Sequence, residues 1–133
     1  MSDAGPDFPP GAFDRIDDGD DSAFYAPPRL VTHIDARAIA ALTACYRAEL
    51  SSGDTVLDLM SSWVSHLPPE LALGNCVGHG MNAEELAANP RLDSWFVQDL
   101  NRAAALPLAD ESFDAALCCV SVQYLQQPIA VFA

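Results

Sequence analysis

The sequence predicts an α/β fold built on an open parallel sheet, and two features of the residue pattern carry that prediction. Apolar runs of strand length alternate with helical segments, the order expected of parallel strands joined by right-handed crossovers. The first apolar run, in the segment TVLDLMSSWVSHLP (55–68), ends in an acid followed by small polar residues. A central parallel strand leaves its sheet in this way, and ligands of open α/β sheets bind in the crevice at that end.

Length and composition fit one domain of this kind. The chain has 133 residues, and half of them are hydrophobic, which is enough for a single core. Its formal net charge is −13, and its six basic residues are all arginines. Such a charge argues against binding to nucleic-acid phosphates or to an anionic membrane surface, and it permits a small neutral or cationic partner.

The amino-terminal segment carries no targeting signal, so we expect a cytoplasmic protein. The start MSDAGPDFPPG lacks the basic and apolar regions of a signal peptide, and no apolar run approaches the roughly 20 residues that span a bilayer. Residues 1–28 are rich in Pro, Gly and Asp and predict a flexible acidic arm. A cation site in the run 14–21 is the weaker alternative, because the spacing of a calcium-binding loop is absent.

Cysteines and histidines give no strong metal signal, and we predict no metal site. Neither residue type shows the CxxC or i, i+4 spacing of metal ligands. We expect all the cysteines to be buried thiols in a reducing compartment. The residues concerned are Cys45, Cys76, Cys118, Cys119, His33, His66 and His79.

The first helix and the first strand are the clearest elements. Apolar residues at three- and four-residue spacing predict a helix over 34–50, with Thr32 or Asp35 as its N-cap. Gly53 follows the helix in the position that favours glycine. Strand one is then expected over 54–60.

The remaining elements alternate between strand and helix. We expect strand two at 75–78, a helix at 82–89 capped by its first asparagine, strand three at 94–100 and strand four at 113–120. Strand four is nearly all apolar, as a strand buried on both faces should be. Another helix begins at Pro128. The whole predicts a Rossmann-like sheet of about four strands with helices on both faces.

Three strand ends carry polar groups that would meet at one edge of such a sheet. Asp58 closes strand one, the turn 78–82 follows strand two, and Asp99 closes strand three. A carboxylate there can accept hydrogen bonds from an adenine amino group, a ribose or an ammonium group. Each acid could equally cap the backbone of the next turn, and that alternative stays open.

These motifs resemble class I S-adenosylmethionine-dependent methyltransferases of the type 11-like branch. The resemblance runs from about Phe24 to the end of the chain. It rests on FYAPPRLVTHID, on VLDLMSSW, on VGHGMNAEEL and above all on FVQDLNRAAALPLADESFDAALCCVSVQYLQQP. It implies S-adenosyl-L-methionine as cofactor and a small molecule as methyl acceptor, and it identifies neither that acceptor nor a catalytic residue.

The resemblance also implies where the cofactor binds. Asp58 and the turn 60–62 would approach its methionine part, the residues at 81 and 82 its ribose and adenine, Asp99 the adenine amino group, and 119–121 the sulfonium. The implied cofactor-binding residues are Asp58, Met60, Ser61, Ser62, Gly80, Met81, Asn82, Asp99, Leu100, Cys119 and Val120.

The sequence departs from the family pattern in two turns. The glycine-rich turn after the first acid is replaced by residues 60–63, and we expect Trp63 to turn into the core. Many relatives end strand two with an acid that holds the ribose hydroxyls, and Gly80 stands at that position here. The contact is lost unless Asn82, Glu84 or Glu85 replaces it.

Length is the third departure, because the family sheet has more strands. Residues 29–133 would then be the amino-terminal, cofactor-binding half of a truncated domain, and an exposed sheet edge would favour self-association. A non-catalytic binding module is the main alternative function. A nicotinamide-dependent oxidoreductase is less favoured because no G-x-G-x-x-G follows strand one. Tyr124 is expected to pack under the sheet, with the acceptor side as its alternative position.

Overall fold

The computed structural model describes residues 8–12 and 30–133, so most of the acidic arm predicted over 1–28 lies outside the described residues. The described chain has an α/β order. In sequence it contains α1 (Ala36–Glu49), β1 (Thr55–Leu59), β2 (Asn75–Gly80), α2 (Ala83–Ala88), β3 (Ser94–Val97), β4 (Ala115–Cys118), a 3-10 turn (Val122–Tyr124) and α3 (Pro128–Phe132).

The four strands form one open sheet in which every pairing is parallel. Their order is β3-β2-β1-β4, so β1 lies inside the sheet, between β2 and β4. The α/β, Rossmann-like fold class predicted from the sequence is therefore confirmed. Because all strands run in the same direction, their carboxyl ends meet at one edge.

Successive side chains along β1 belong to two separate hydrophobic clusters, one on each face of the sheet. Val56 packs with Tyr46 of α1 on one face of the sheet, whereas Leu57 and Leu59 pack with Val131 of α3 on the other. This alternation is the period of two expected of a strand. The sheet is covered by a helix on each face, as predicted.

Helix starts follow the capping residues in the sequence. The side chain of Asp35 accepts a hydrogen bond from the Ala38 N–H at 2.8 Å, so Asp35 caps α1 and the alternative, Thr32, does not. Asn82 caps α2 in the same way, accepting from the Glu85 N–H at 3.0 Å. Both caps satisfy an N–H group that the helix itself cannot.

Aspartates fasten the amino ends of the strands to one another. Asp114 donates its N–H to the Thr55 carbonyl and accepts the Thr55 N–H with its side chain, both at 2.8 Å. Asp93 makes the same pair of bonds with the carbonyl and N–H of Cys76. Each aspartate thus fixes its strand beside the neighbouring strand at the edge opposite the crevice.

Two predictions about burial are wrong. Strand four is not buried on both faces: Leu117 is buried, whereas Ala116 is exposed and Ala115 and Cys118 are half-buried. Only Cys76 is a buried thiol; Cys45 is exposed, and Cys118 and Cys119 are half-buried. In the part of the chain that the structure describes, no helix is long and apolar enough to cross a membrane.

Candidate functional site

A cavity of about 240 Å³ opens at the carboxyl ends of the strands. The turn after β1, the end of β2, the loop after β3 and the segment after β4 all contribute to its wall, together with residues 31–34 ahead of α1. Every cofactor-binding residue expected from the sequence lines it: Asp58, Met60, Ser61, Ser62, Gly80, Met81, Asn82, Asp99, Leu100, Cys119 and Val120.

Asp58 is a buried carboxylate at the floor of this cavity. Only 5% of the residue is exposed, and its Oδ2 accepts the hydroxyls of Ser61 at 2.6 Å and Ser65 at 2.5 Å. Burial raises the pKa of Asp58, and the two hydroxyl bonds oppose that rise. Serine hydroxyls bring no charge, so the protein surrounds a buried acid with dipoles instead of a cation.

Asn89 holds the turn that supplies those hydroxyls. Its side-chain amide donates to the Ser62 carbonyl at 2.9 Å and to the Ser65 Oγ at 2.8 Å. Asn89 itself is 4% exposed and follows directly after α2. The turn after β1 is therefore fixed from beneath by a residue that comes after the next helix.

Backbone strain is concentrated around the cavity. Met60, His66 and Val120 all have positive φ angles, of 55°, 56° and 56°, and all line the cavity. Non-glycine residues adopt this left-handed conformation at a cost of about 1–2 kcal/mol. The turn after β1 therefore holds, at Met60, a conformation that glycine adopts more readily, with a larger side chain in place.

His79 bridges the ends of three strands. Its Nδ1 lies 2.9 Å from the Met60 nitrogen and its Nε2 lies 2.7 Å from the Gln98 carbonyl oxygen. Because the Met60 N–H can only donate, Nδ1 accepts and Nε2 carries the proton, which defines one neutral tautomer. Burial lowers the pKa of His79, in agreement with a neutral ring. Its 1% exposure makes it a structural support of the cavity wall.

The end of β2 leaves no room for a side chain at Gly80. A Cβ there would lie 2.8 Å from the Ser61 carbonyl oxygen and 3.1 Å from the Leu86 side chain. A carboxylate reaches this part of the cavity from α2. It belongs to Glu85, whose Oε1 accepts the Ser62 hydroxyl at 2.7 Å.

Asp99 lies in the loop after β3 and not in the strand itself. Its Oδ1 accepts the Asn101 N–H at 3.0 Å, so the turn-forming alternative left open for this acid holds for one oxygen. Its Oδ2 lies 3.7 Å from the Nε of Arg102, a side chain that is 64% exposed. Leu100, the next residue, is buried in the hydrophobic cluster that contains Leu57 and Leu59 of β1.

The cavity carries negative charge. Among the described residues that line it are three acids, Asp58, Glu85 and Asp99, and no arginine. Across the floor, burial and the nearby charge of Asp58 raise the pKa of the Cys119 thiol, which therefore stays protonated at neutral pH. The arrangement suits a ligand that is cationic at one end and offers hydrogen-bond donors along its length.

Two side chains lie elsewhere than the sequence predicts. Trp63 does not enter the core: it is half-buried, and its indole N–H donates to the Val31 carbonyl at 3.0 Å. Tyr124 does not pack under the sheet but lines the cavity with 40% of its surface exposed. Neither ring belongs to the two hydrophobic clusters: Trp63 is bonded to Val31 of the cavity wall, and Tyr124 lines the cavity itself.

Several lining residues were not singled out from the sequence. Ser65 and His66 belong here, inside the segment 55–68, and so does the segment 31–34, which is part of the stretch FYAPPRLVTHID and was given no binding role. His66 comes to the cavity because Thr43 of α1 donates its hydroxyl to the His66 carbonyl at 2.8 Å. Such a contact between residues far apart in sequence has no local signature.

The three histidines of the chain lie close to the cavity. His33, His66 and His79 all line the cavity, but no group of three or more His, Cys, Asp or Glu side chains within 8–12 and 30–133 could hold an ion.

Comparison of the chain with protein-family models, with curated proteins and with solved structures gave no match.

Proposed function

We propose that this protein binds S-adenosyl-L-methionine at the strand-end cavity and transfers its methyl group to a small-molecule acceptor. One observation carries the proposal: the groups that the first three strands bring to their carboxyl ends line one acidic cavity. A cationic nucleoside cofactor matches that combination of charge and position.

Asp58 is the group that fits the cationic end of the cofactor. A buried carboxylate held only by hydroxyl groups lacks the opposite charge that usually accompanies a buried acid. The ammonium group of a methionine moiety, or the sulfonium beside it, would supply that charge. The bond network through Ser61, Ser65 and Asn89 keeps the acid oriented before the ligand arrives.

The loop after β3 fits the other end of the cofactor. Asp99 lines the cavity, with its Oδ1 bonded in its own turn and its Oδ2 toward Arg102. A second lone pair on Oδ2 can accept a hydrogen bond from an adenine amino group. Met60, Met81 and Leu100 provide apolar surface for the flat face of a base.

In methyl transfer the cofactor supplies an electrophilic methyl group bonded to a positively charged sulfur. The contribution of the chain is to bind and orient, to align an acceptor with the methyl–sulfur bond and to exclude water. Cys119, Val120 and Tyr124 line the cavity after β4 and would be the residues on the acceptor side. The acceptor is a small molecule of undetermined identity.

A non-catalytic binding module is the second candidate. The observation that favours it is the apolar edge strand β4, whose side chains are half-exposed or exposed except for Leu117. Such an edge suits association with a second copy of this chain or with another strand. In that case the cavity would bind the ligand without turnover.

Isothermal titration calorimetry with S-adenosylhomocysteine and with S-adenosylmethionine tests the proposal. We expect saturable binding of both, with the sulfonium compound at least as tight because its charge faces Asp58. Absence of heat up to millimolar ligand would refute cofactor binding. Binding of both compounds, with no S-adenosylhomocysteine released in the presence of a broad acceptor panel, would favour the binding module.

A further inference from the structure

The loop after β3 and the segment after β4 meet beside the cavity although their strands lie at opposite edges of the sheet. The order β3-β2-β1-β4 puts two strands between them. At about 4.8 Å per strand, β3 and β4 are about 14 Å apart. Leu100 of the loop and Leu125 of the segment are nevertheless buried in the same hydrophobic cluster. The two segments therefore converge across the ends of β1 and β2, where no strand pairing can join them.

The side chain of Asn101 joins these two segments. Its Nδ2 donates to the Tyr124 carbonyl at 3.0 Å, and its Oδ1 accepts the Gln126 N–H at 2.8 Å. These two backbone groups flank Leu125, so the amide bonds to either side of it, as a residue of a parallel strand bonds to either side of its partner. The position requires a group that donates and accepts at once, which asparagine supplies and a carboxylate does not.

We infer that Asn101 is a positioning residue that ties the placement of Tyr124, on the acceptor side, to the binding of the cofactor base at Asp99. The inference rests on the proposed function, because it describes how two parts of the same cavity act together. Its consequence is that binding of the cofactor orders the acceptor side before an acceptor arrives.

Asp99 holds Asn101 from the cofactor side. Its Oδ1 accepts the Asn101 N–H at 3.0 Å, and its carbonyl oxygen accepts the N–H groups of Arg102 and Ala103 at 3.1 and 2.9 Å. These bonds form a tight turn in which Asn101 cannot shift without Asp99. A ligand that restrains the Asp99 carboxylate therefore restrains the Asn101 amide as well.

Tyr124 belongs to a short element with a partly exposed side chain. It ends a 3-10 turn of three residues, its ring is 40% exposed and lines the cavity, and its N–H donates to the Ser121 carbonyl at 3.0 Å. Such elements open locally at a low cost in free energy. The bonds from Asn101 oppose that opening, and the Gln126 N–H, which takes part in one of them, reports on it directly.

Hydrogen–deuterium exchange of the backbone, with and without S-adenosylhomocysteine, tests the coupling. In the wild type we expect the ligand to slow exchange both in 98–103 and in 124–127. Asn101→Ala removes the amide and keeps the N–H that is bonded to Asp99. In this variant we expect the ligand to slow exchange in 98–103 alone. Without ligand, exchange in 124–127 should be about tenfold faster than in the wild type.

Two further variants complete the test. Gln123→Ala is the matched control, since its amide donates to the Val120 carbonyl at 3.2 Å, inside the segment after β4, and we expect it to behave as the wild type. Asn101→Asp serves if Asn101→Ala fails to fold. It is nearly the same size but cannot donate to the Tyr124 carbonyl, so the ligand should no longer slow exchange in 124–127.

Four results would overturn the inference. A wild type that binds S-adenosylhomocysteine by calorimetry, with no slowing in 124–127, refutes the coupling and leaves cofactor binding in place. Slowing there that survives in the Asn101 variants refutes it too, because the ligand would then act on that segment directly. Loss of the effect in Gln123→Ala as well would refute a special role for Asn101. A wild type that binds no S-adenosylhomocysteine removes the proposed cofactor site and the coupling together.

Discussion

The two ends of the sheet are built by opposite rules. At the amino ends, exposed aspartates fasten β1 and β2 to their neighbours through paired backbone and side-chain bonds, and Gly53 takes the positive φ of 87° that the turn before β1 needs. At the carboxyl ends, Met60 and Val120 take positive φ angles without being glycine, and Asp58 is an acid buried without a cation.

This contrast separates what the fold needs from what a ligand needs. At the amino ends, Gly53 and the strand-fastening aspartates are residues that turn geometry favours, and Glu111 in the loop before β4 is the exception, with a φ of 55°. The carboxyl ends break the same local rules in several places at once, at Met60, Val120 and Asp58. Strain and buried charge that persist together in one cavity are typical of a binding site.

The largest expected effect on the free energy of unfolding comes from comparing the buried His79 at the carboxyl ends of the strands with the exposed Asp114 at their amino ends. His79→Leu leaves the Met60 N–H and the Gln98 carbonyl without their partner in a buried place, so we expect the free energy of unfolding to fall by about 2–4 kcal/mol. Asp114→Ala frees a Thr55 N–H beside solvent and should lower it by about 1 kcal/mol. Urea unfolding measures both, and equal losses would contradict the contrast.

A smaller effect of opposite sign is expected at Asp58. Burial raises the pKa of this acid above its ordinary 3.8, so its stabilising contribution is present below that value and is lost as the pH rises through the folded-state pKa. Asp58→Asn should therefore raise the free energy of unfolding near pH 8 by about 1 kcal/mol, and by less near pH 4.

The same substitution should weaken S-adenosylmethionine binding, since the amide carries no charge. Stability that rises while binding falls is the behaviour of a residue kept for a ligand. Thermal unfolding at the two pH values, with calorimetry on the same samples, checks both parts. A variant that is less stable at either pH would show that Asp58 serves the fold instead.

The smallest expected effect concerns backbone strain. Val120 at the cavity and Glu111 in the loop before β4 have nearly the same positive φ, 56° and 55°. Replacing either by glycine should raise the free energy of unfolding, by about 1 kcal/mol for the β-branched Val120 and by less for Glu111. Only Val120→Gly should also change ligand affinity. If Glu111→Gly changes it equally, the strain at Val120 has no connection with the cavity.

Much of the fold is legible from the sequence because local chemistry decides it. Asp35 and Asn82 are capping residues placed before helical patterns, and both cap. The apolar run that ends at Asp58 is β1, inside the sheet and followed by the turn that lines the cavity. Parallel alternation then brings the strand ends together, which is why the expected site residues all line one cavity.

Elements whose form depends on their neighbours were less predictable. Strand two continues to Gly80, two residues past the expected end, although glycines disfavour strands. Pairing with β3 holds His79 and Gly80 in the sheet, and the close approach of Ser61 requires that residue 80 be glycine. Strand three is shorter than expected and stops at Val97, because Asp99 forms a turn with Asn101.

The indole of Trp63 gives the molecule an optical reporter of its own. Its N–H is bonded to Val31, in a stretch that forms part of the cavity wall, while the chain's other tryptophan, Trp95, lies on β3 with 40% exposure. A ligand that displaces residues 31–34 changes the environment of Trp63 and leaves that of Trp95 unchanged. Emission spectra, compared with those of a Trp95→Phe protein, can therefore follow occupancy in dilute solution without a label.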